Sequence, residues 1–249
     1  MEQLLAALPE LPWDVVLVYL RVQGFVMVLP VLGERVLPVR LKVGLAAVLA
    51  PLLASGEGMP FPDEPGQVIG QAAAELLLGL ASGMLLRVLA LAIDIATTAI
   101  AATASLSQIM GEQNEAAPHP IGNFIHLAGL ALLMVMGLPV MLVGLIADSL
   151  RIWPPSGWPD ADYFLANIVF VVRDSFLLAL MLAAPFTIGG FLFQALSGVI
   201  NRVMPALPVV FIGAPASILL ALAGLAVLAP LLVAIWADRV LSFTLPVMP

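Results

Sequence analysis

A chain of 249 residues that is 62% hydrophobic, with a mean hydropathy of +1.13, carries more apolar surface than one globular core hides, so a water-soluble fold is excluded. Sixteen acids against nine bases leave a net charge of −7 without a long basic run, which removes the electrostatic footprint of a nucleic-acid binder. The absence of cysteine removes disulfide scaffolds, thiolate metal sites and thiol nucleophiles.

The expected class is all-α: an integral membrane protein of about six apolar helical segments. The first runs from about Trp13 to Leu32, with Arg21 and Gly24 near its middle. No Lys or Arg precedes Arg21, the wrong charge for the start of a cleaved signal peptide, so this segment is expected to stay. It closes in "PVLGERVLPVR", and the positive-inside bias puts Arg35, Arg40 and Lys42 on the cytoplasmic side. Leu41 to Ser55 is apolar but shorter than the roughly 20 residues of a full span. Gly56 to Gly66, "GEGMPFPDEPG", holds three acids, three prolines and no base, and reads as a loop on the opposite side, with the N-terminus.

Gln67 to Met110 would extend about 66 Å as one helix, beyond a hydrocarbon core of roughly 30 Å, so it must bend, project or split. Glu75, Arg87 and Asp94 interrupt it, and Gly79 and Gly83 have the small-xxx-small spacing that lets helix backbones approach closely. "QIMGEQNEAAPHPIGN" then breaks the chain from Gln108 to Asn123 with acids and no base, and Ile121 to Ala147 follows without a charge, with Pro139 inside. The loop "RIWPPSGWPDADY", Arg151 to Tyr163, places Trp153 and Trp158 as interfacial aromatics. Tyr163 to Ile200 is overlong and carries Arg173 beside Asp174. Neighbours on a helix project about 100° apart, so each is expected to find its partner on another helix or another chain. A last apolar segment reaches about Ala237.

His119 and His126 stand seven apart without a third ligand at helical spacing, which favours structural roles over a metal site needing three or four ligands. No HExxH, GxSxG or Walker glycine loop occurs, so neither an enzyme nor a cofactor is expected. Arg21, Glu75, Arg87, Asp94, Arg173 and Asp174 are costly in lipid; they line a pore or transport pathway, or they pair with one another, and composition does not separate the two. The stretch "NRVMPALPVVFIGAP" sets Pro205, Pro208 and Pro215 where two apolar segments meet. Three lost amide donors predict a non-helical connection: a surface turn between two spans, a tight hairpin between paired helices, or a re-entrant constriction.

Those residues resemble a known pattern. "GVINRVMPALPVVFIGAP" is similar to the C-terminal signature of the FliR family of flagellar export proteins and their injectisome relatives, at Gly198, Asn201, Arg202, Pro205, Phe211, Gly213 and Pro215. Arg21, Pro30, Gly33, Pro38, Arg40 and Gly44 resemble the family's start, and Glu75, Gly79, Gly83, Gln108 and Gly111 its middle. Ala206 departs from the Gln that members often carry after the "NRxxP" proline.

The resemblance implies a subunit of the export gate of a type III secretion apparatus, in the bacterial inner membrane at the flagellar basal body. It implies FliP-like and FliQ-like partners in a hetero-oligomer, FlhA-like and FlhB-like components alongside, and unfolded proteins as substrates. It further implies a FliP-like part over 1–150 and a FliQ-like part over 151–249, with bent helical hairpins packed on neighbours in a helical assembly. The loop with Gln108, Gly111, Glu112, Gln113, Asn114 and Glu115 would project into the pore and help to plug it. Arg202 would find its counter-charge in the assembly, and the proline break from Met204 to Pro215 would form a tight hairpin. The alternatives are an injectisome gate subunit and a secondary transporter of a small solute.

Overall fold

The computed structural model describes residues 12–34, 37–54, 56, 59–103, 120–156, 161–204 and 209–245. Among these the regular structure is entirely helical, in eight helices: α1 (Trp13–Val28), α2 (Val39–Leu53), α3 (Pro65–Ala90), α4 (Ala92–Thr103), α5 (Pro120–Val135), α6 (Leu138–Ile152), α7 (Ala161–Val203) and α8 (Val209–Leu241).

Proline sets several of the boundaries. Pro30 disfavours helix at Leu29, so α1 stops at Val28 and the expected segment to Leu32 ends early. Pro38 caps α2 and Pro65 opens α3 at the position where a missing amide costs nothing. Between α5 and α6 the axis turns by 74°, with Gly137 at φ 104°, a conformation that side-chain-bearing residues rarely adopt, and Pro139 in the first turn of α6.

Fewer helices are long enough to span a membrane than the six apolar segments expected. α1 and α2 are 16 and 15 residues long, short of a span. Among the described residues three stretches suffice: Pro65–Ile100, Phe164–Val203 and Pro215–Leu241, or four if the bent α5–α6 pair counts as one. Among the described residues the run expected to bend, project or split after Gln67 is interrupted only at Leu91, while α7 continues for 43 residues through Pro185.

Pro215 also differs from its expected place in the connection, because α8 begins at Val209 and takes this proline into its second turn. An apolar sequence leaves its backbone no better partner than the helix itself, which offsets the one bond that proline removes.

The helices group into two compact units, one of Met1–Leu89, Gly137–Val171 and Ser242–Pro249, the other of Ala90–Met136 and Val172–Leu241. In the first, α1 packs on α2 and α6 around Leu17, Val22, Phe25, Leu29 and Ile146. In the second, α4, α5 and α8 pack around Ile93, Leu133 and Trp236, whose indole N–H donates to the Ala90 carbonyl at 3.0 Å. α7 and α8 run antiparallel there, with Asp174 beside Arg239 and Phe186 beside Gly224.

Candidate functional site

The first unit is organised around one buried ion pair. α1 brings Arg21 and α3 brings Glu75, both fully buried, with Nε donating to Oε2 at 2.6 Å. Arg21 Nη1 also donates to the carbonyls of Ser149 (2.9 Å) and Trp153 (2.6 Å) at the C-terminal end of α6. A helix C-terminus offers unpaired carbonyls and partial negative charge, so a guanidinium is the group it favours. The second Glu75 oxygen accepts from the Ser156 amide at 3.0 Å, while Ser156 is held at φ 76°. One salt bridge thereby ties α1, α3, the end of α6 and the turn after it.

The backbones meet where the glycines allow. A Cβ on Gly79 would collide with the Arg21 carbonyl, and one on Gly24 would come within 2.6 Å of the Leu76 carbonyl. At Gly83 the nearest obstacle is a side chain, Val28 Cγ2, at 2.7 Å. Close approach of α1 and α3 is therefore a condition for the short Arg21–Glu75 bond.

A second tie holds the turn after α1. Arg87 donates through Nη1 to the Val28 carbonyl (3.2 Å) and through Nη2 to Glu34 Oε1 (3.3 Å), while Lys42 Nζ donates to the Glu34 carbonyl at 3.1 Å.

In the second unit, Asp94 Oδ1 lies 2.8 Å from His126 Nδ1, so this histidine has a structural partner. No group of metal-ligating side chains occurs among the described residues. Asp174 accepts both forks of Arg239, at 2.7 and 3.1 Å. The expectation that Asp174 pairs across to another helix holds, and its partner is in the same chain. Arg239 is half exposed, so this pair competes with water: Asp174→Asn should change stability in detergent by no more than about 1 kcal/mol, checked by thermal unfolding against the Arg239→Gln and double variants.

Charged residues inside apolar runs thus have intrachain partners in most cases, which favours mutual pairing over a charged pathway. The sequence marks Trp153 only as an interfacial aromatic and does not single out Glu34, Ser149 or Ser156. Ser149 and Trp153 act through carbonyls and Ser156 through its amide, which side-chain letters do not mark; Glu34 acts through its carboxylate, and only its partner Arg87, 53 residues away, is hidden.

The other expected positions are spread widely. Pro30 is buried behind α1, Gly33 sits in the turn, and Pro38 and Arg40 are exposed at the start of α2. Gly198, Asn201 and Arg202 are exposed near the end of α7; Gly213 and Pro215 lie in α8, half-buried and exposed, and Phe211 lies on the α8 backbone. Pro205 and the loop residues Gln108, Gly111, Glu112, Gln113, Asn114 and Glu115 fall outside the described residues.

Long apolar helices with internally paired charges and large uncovered faces define an α-helical membrane protein. Its sequence matches the family described as bacterial export proteins, family 1, over residues 13–243. It is 30% identical over 229 residues to the flagellar biosynthetic protein FliR of Caulobacter vibrioides, covering 90% of this chain and 91% of that protein. It is 26% identical to FliR of Bacillus subtilis (81% and 80% covered) and 26% identical to FliR of Escherichia coli (86% and 83%). The chain belongs to bacterial export protein family 1, the family of the FliR proteins.

Proposed function

We propose that this chain is a membrane-embedded subunit of the flagellar type III protein export gate, helping to form and close the pore through which unfolded export substrates pass. The observation that carries this reading is the family match from residue 13 to 243, together with relatives named flagellar biosynthetic proteins, which favours a flagellar system over an injectisome. The FliP-like part over 1–150, the FliQ-like part over 151–249, the FliP-like, FliQ-like, FlhA-like and FlhB-like partners and the basal-body site in the inner membrane belong to the same proposal.

The uncovered apolar surface supports an assembled state. None of the most apolar window of α8 is buried, and only 28% of that of α7 is. Phe191, Val199 and Leu219 stand largely exposed, more apolar surface than a chain in water would tolerate. In this reading exposed Gly198 and Asn201 on α7 contact neighbours, and Arg202, which has no ion-pair partner among the described residues, finds its partner in the assembly.

The loop around Gln108 to Pro120 is the proposed plug. Replacing Glu112, Gln113, Asn114 and Glu115 by a Gly/Ser linker should leave complex yield unchanged and raise the ion conductance of the assembled gate in planar bilayers. Unchanged conductance with normal assembly would remove the plug role. The wider reading is tested by deleting the gene in its flagellated host: loss of filaments that this chain restores, and a vector does not, is the expected outcome.

A further inference from the structure

Two arginines on α7 lack an ion-pair partner among the described residues. Arg173 and Arg202 are both exposed, 29 residues apart on one continuous helix. At 3.6 residues per turn and 1.5 Å rise they lie about 20° apart around the axis and about 43 Å apart along it. Both therefore sit on one face, away from the face that buries Leu178, Leu182 and Phe186. Between Asp174 and Arg202 there is no charged residue, and the stripe joining the arginines presents Leu177, Leu180, Ile188 and Phe191, all exposed.

A bilayer is about 30 Å thick in its hydrocarbon and 40–45 Å across its head groups. The arginine spacing matches the second figure. α8, antiparallel to α7, agrees with it: it is free of charge from its start at Val209 to Ala237 and regains charge at Asp238 and Arg239, and the Asp174–Arg239 pair puts that return level with Arg173.

From this we infer that, in the chain before partners cover it, Arg173 and Arg202 lie in opposite head-group layers and hold lipid phosphates there, with the stripe between them on acyl chains. The occupant is the bilayer because the exposed charges are cationic, lipid phosphates are anionic, and their separation fits a thickness that lipid fixes. Long arginine stems reach the head groups from slightly below them. The inference rests on α7 crossing a membrane and holds whichever machine the chain joins.

The chain has no cysteine, so single-cysteine spin labels can be set in the full-length protein without background. Labels at Val172, Ile188 and Val203, in vesicles of phosphatidylcholine and phosphatidylglycerol, report depth from relaxation by oxygen against a water-soluble nickel chelate. Ile188, midway between the arginines, should be deepest, with Val172 and Val203 near the phosphates. Arg173→Gln and Arg202→Gln should each lower the preference for phosphatidylglycerol over phosphatidylcholine about five-fold in native mass spectra. Nickel access at Ile188 equal to that at Val172, a deepest point at either end, or unchanged lipid preference would overturn the inference. So would an Ile188 label shielded from both reagents, since that marks a protein neighbour on the stripe.

Discussion

Arg21→Met is expected to cost about 3–5 kcal/mol of stability and to abolish accumulation of the folded chain, because it strands Glu75 in a fully buried site. A domain holds only about 5–15 kcal/mol in total, so the loss is decisive. Glu75→Ala should be close behind, since the guanidinium keeps the Ser149 and Trp153 carbonyls but loses its counter-charge. Glu75→Gln should be the mildest single change, as the amide oxygen still accepts one bond. The double Arg21→Met, Glu75→Leu variant should recover part of the loss, because a buried pair replaced whole leaves no bare charge. Charge reversal, Arg21→Glu with Glu75→Arg, should recover nothing, because a carboxylate at position 21 would face two carbonyls at the end of α6. Fluorescence-detected size exclusion in detergent checks the series; a charge-reversed variant that accumulates like the unsubstituted chain, or an Arg21→Met variant that does, would contradict it.

Gly79→Val should be as damaging by a different route. Its Cβ would collide with the Arg21 carbonyl, which belongs to backbone and cannot swing aside, so α1 and α3 must separate. Separation draws Arg21 away from Glu75, and the steric cost is compounded by weakening of the ion pair. Gly24→Ala meets the Leu76 carbonyl and should fail similarly. Gly83→Ala meets the Val28 methyl, a side chain stiff at χ1, so its cost should fall below those two without vanishing, and Gly198→Ala meets nothing within 4 Å among the described residues. Gly24 and Gly79 guard one contact, so the double alanine variant should cost less than the sum of the singles. A thermal-shift ranking with Gly198→Ala as damaging as Gly79→Ala would contradict the close-approach account.

How far these features were legible depends on what carried the signal. The Gly79/Gly83 spacing and the charges within apolar runs are written in the letters. Their partners are not, because Arg21 meets Glu75 across 54 residues and Asp174 meets Arg239 across 65, and no local periodicity spans such distances. Composition gave the all-helical membrane class, since apolar content on this scale leaves the backbone few other ways to satisfy its amides. Element lengths were less legible: apolar character continues past Val28 where the helix does not, and a proline such as Pro215 reads as a break although an apolar environment keeps it helical. Of the residues that carry the family likeness, Arg21, Glu75, Gly79 and Gly83 gather at one packed contact, which chain order does not reveal, while Gly198, Asn201 and Arg202 stand exposed on α7.

Native mass spectrometry of the chain, purified in detergent after co-expression with the FliP-like and FliQ-like proteins proposed as its partners and compared with the chain expressed alone, tests the export-gate account most directly. The account predicts a hetero-oligomer holding this chain together with several copies of each partner. A stable monomer or homodimer that ignores those partners would contradict it.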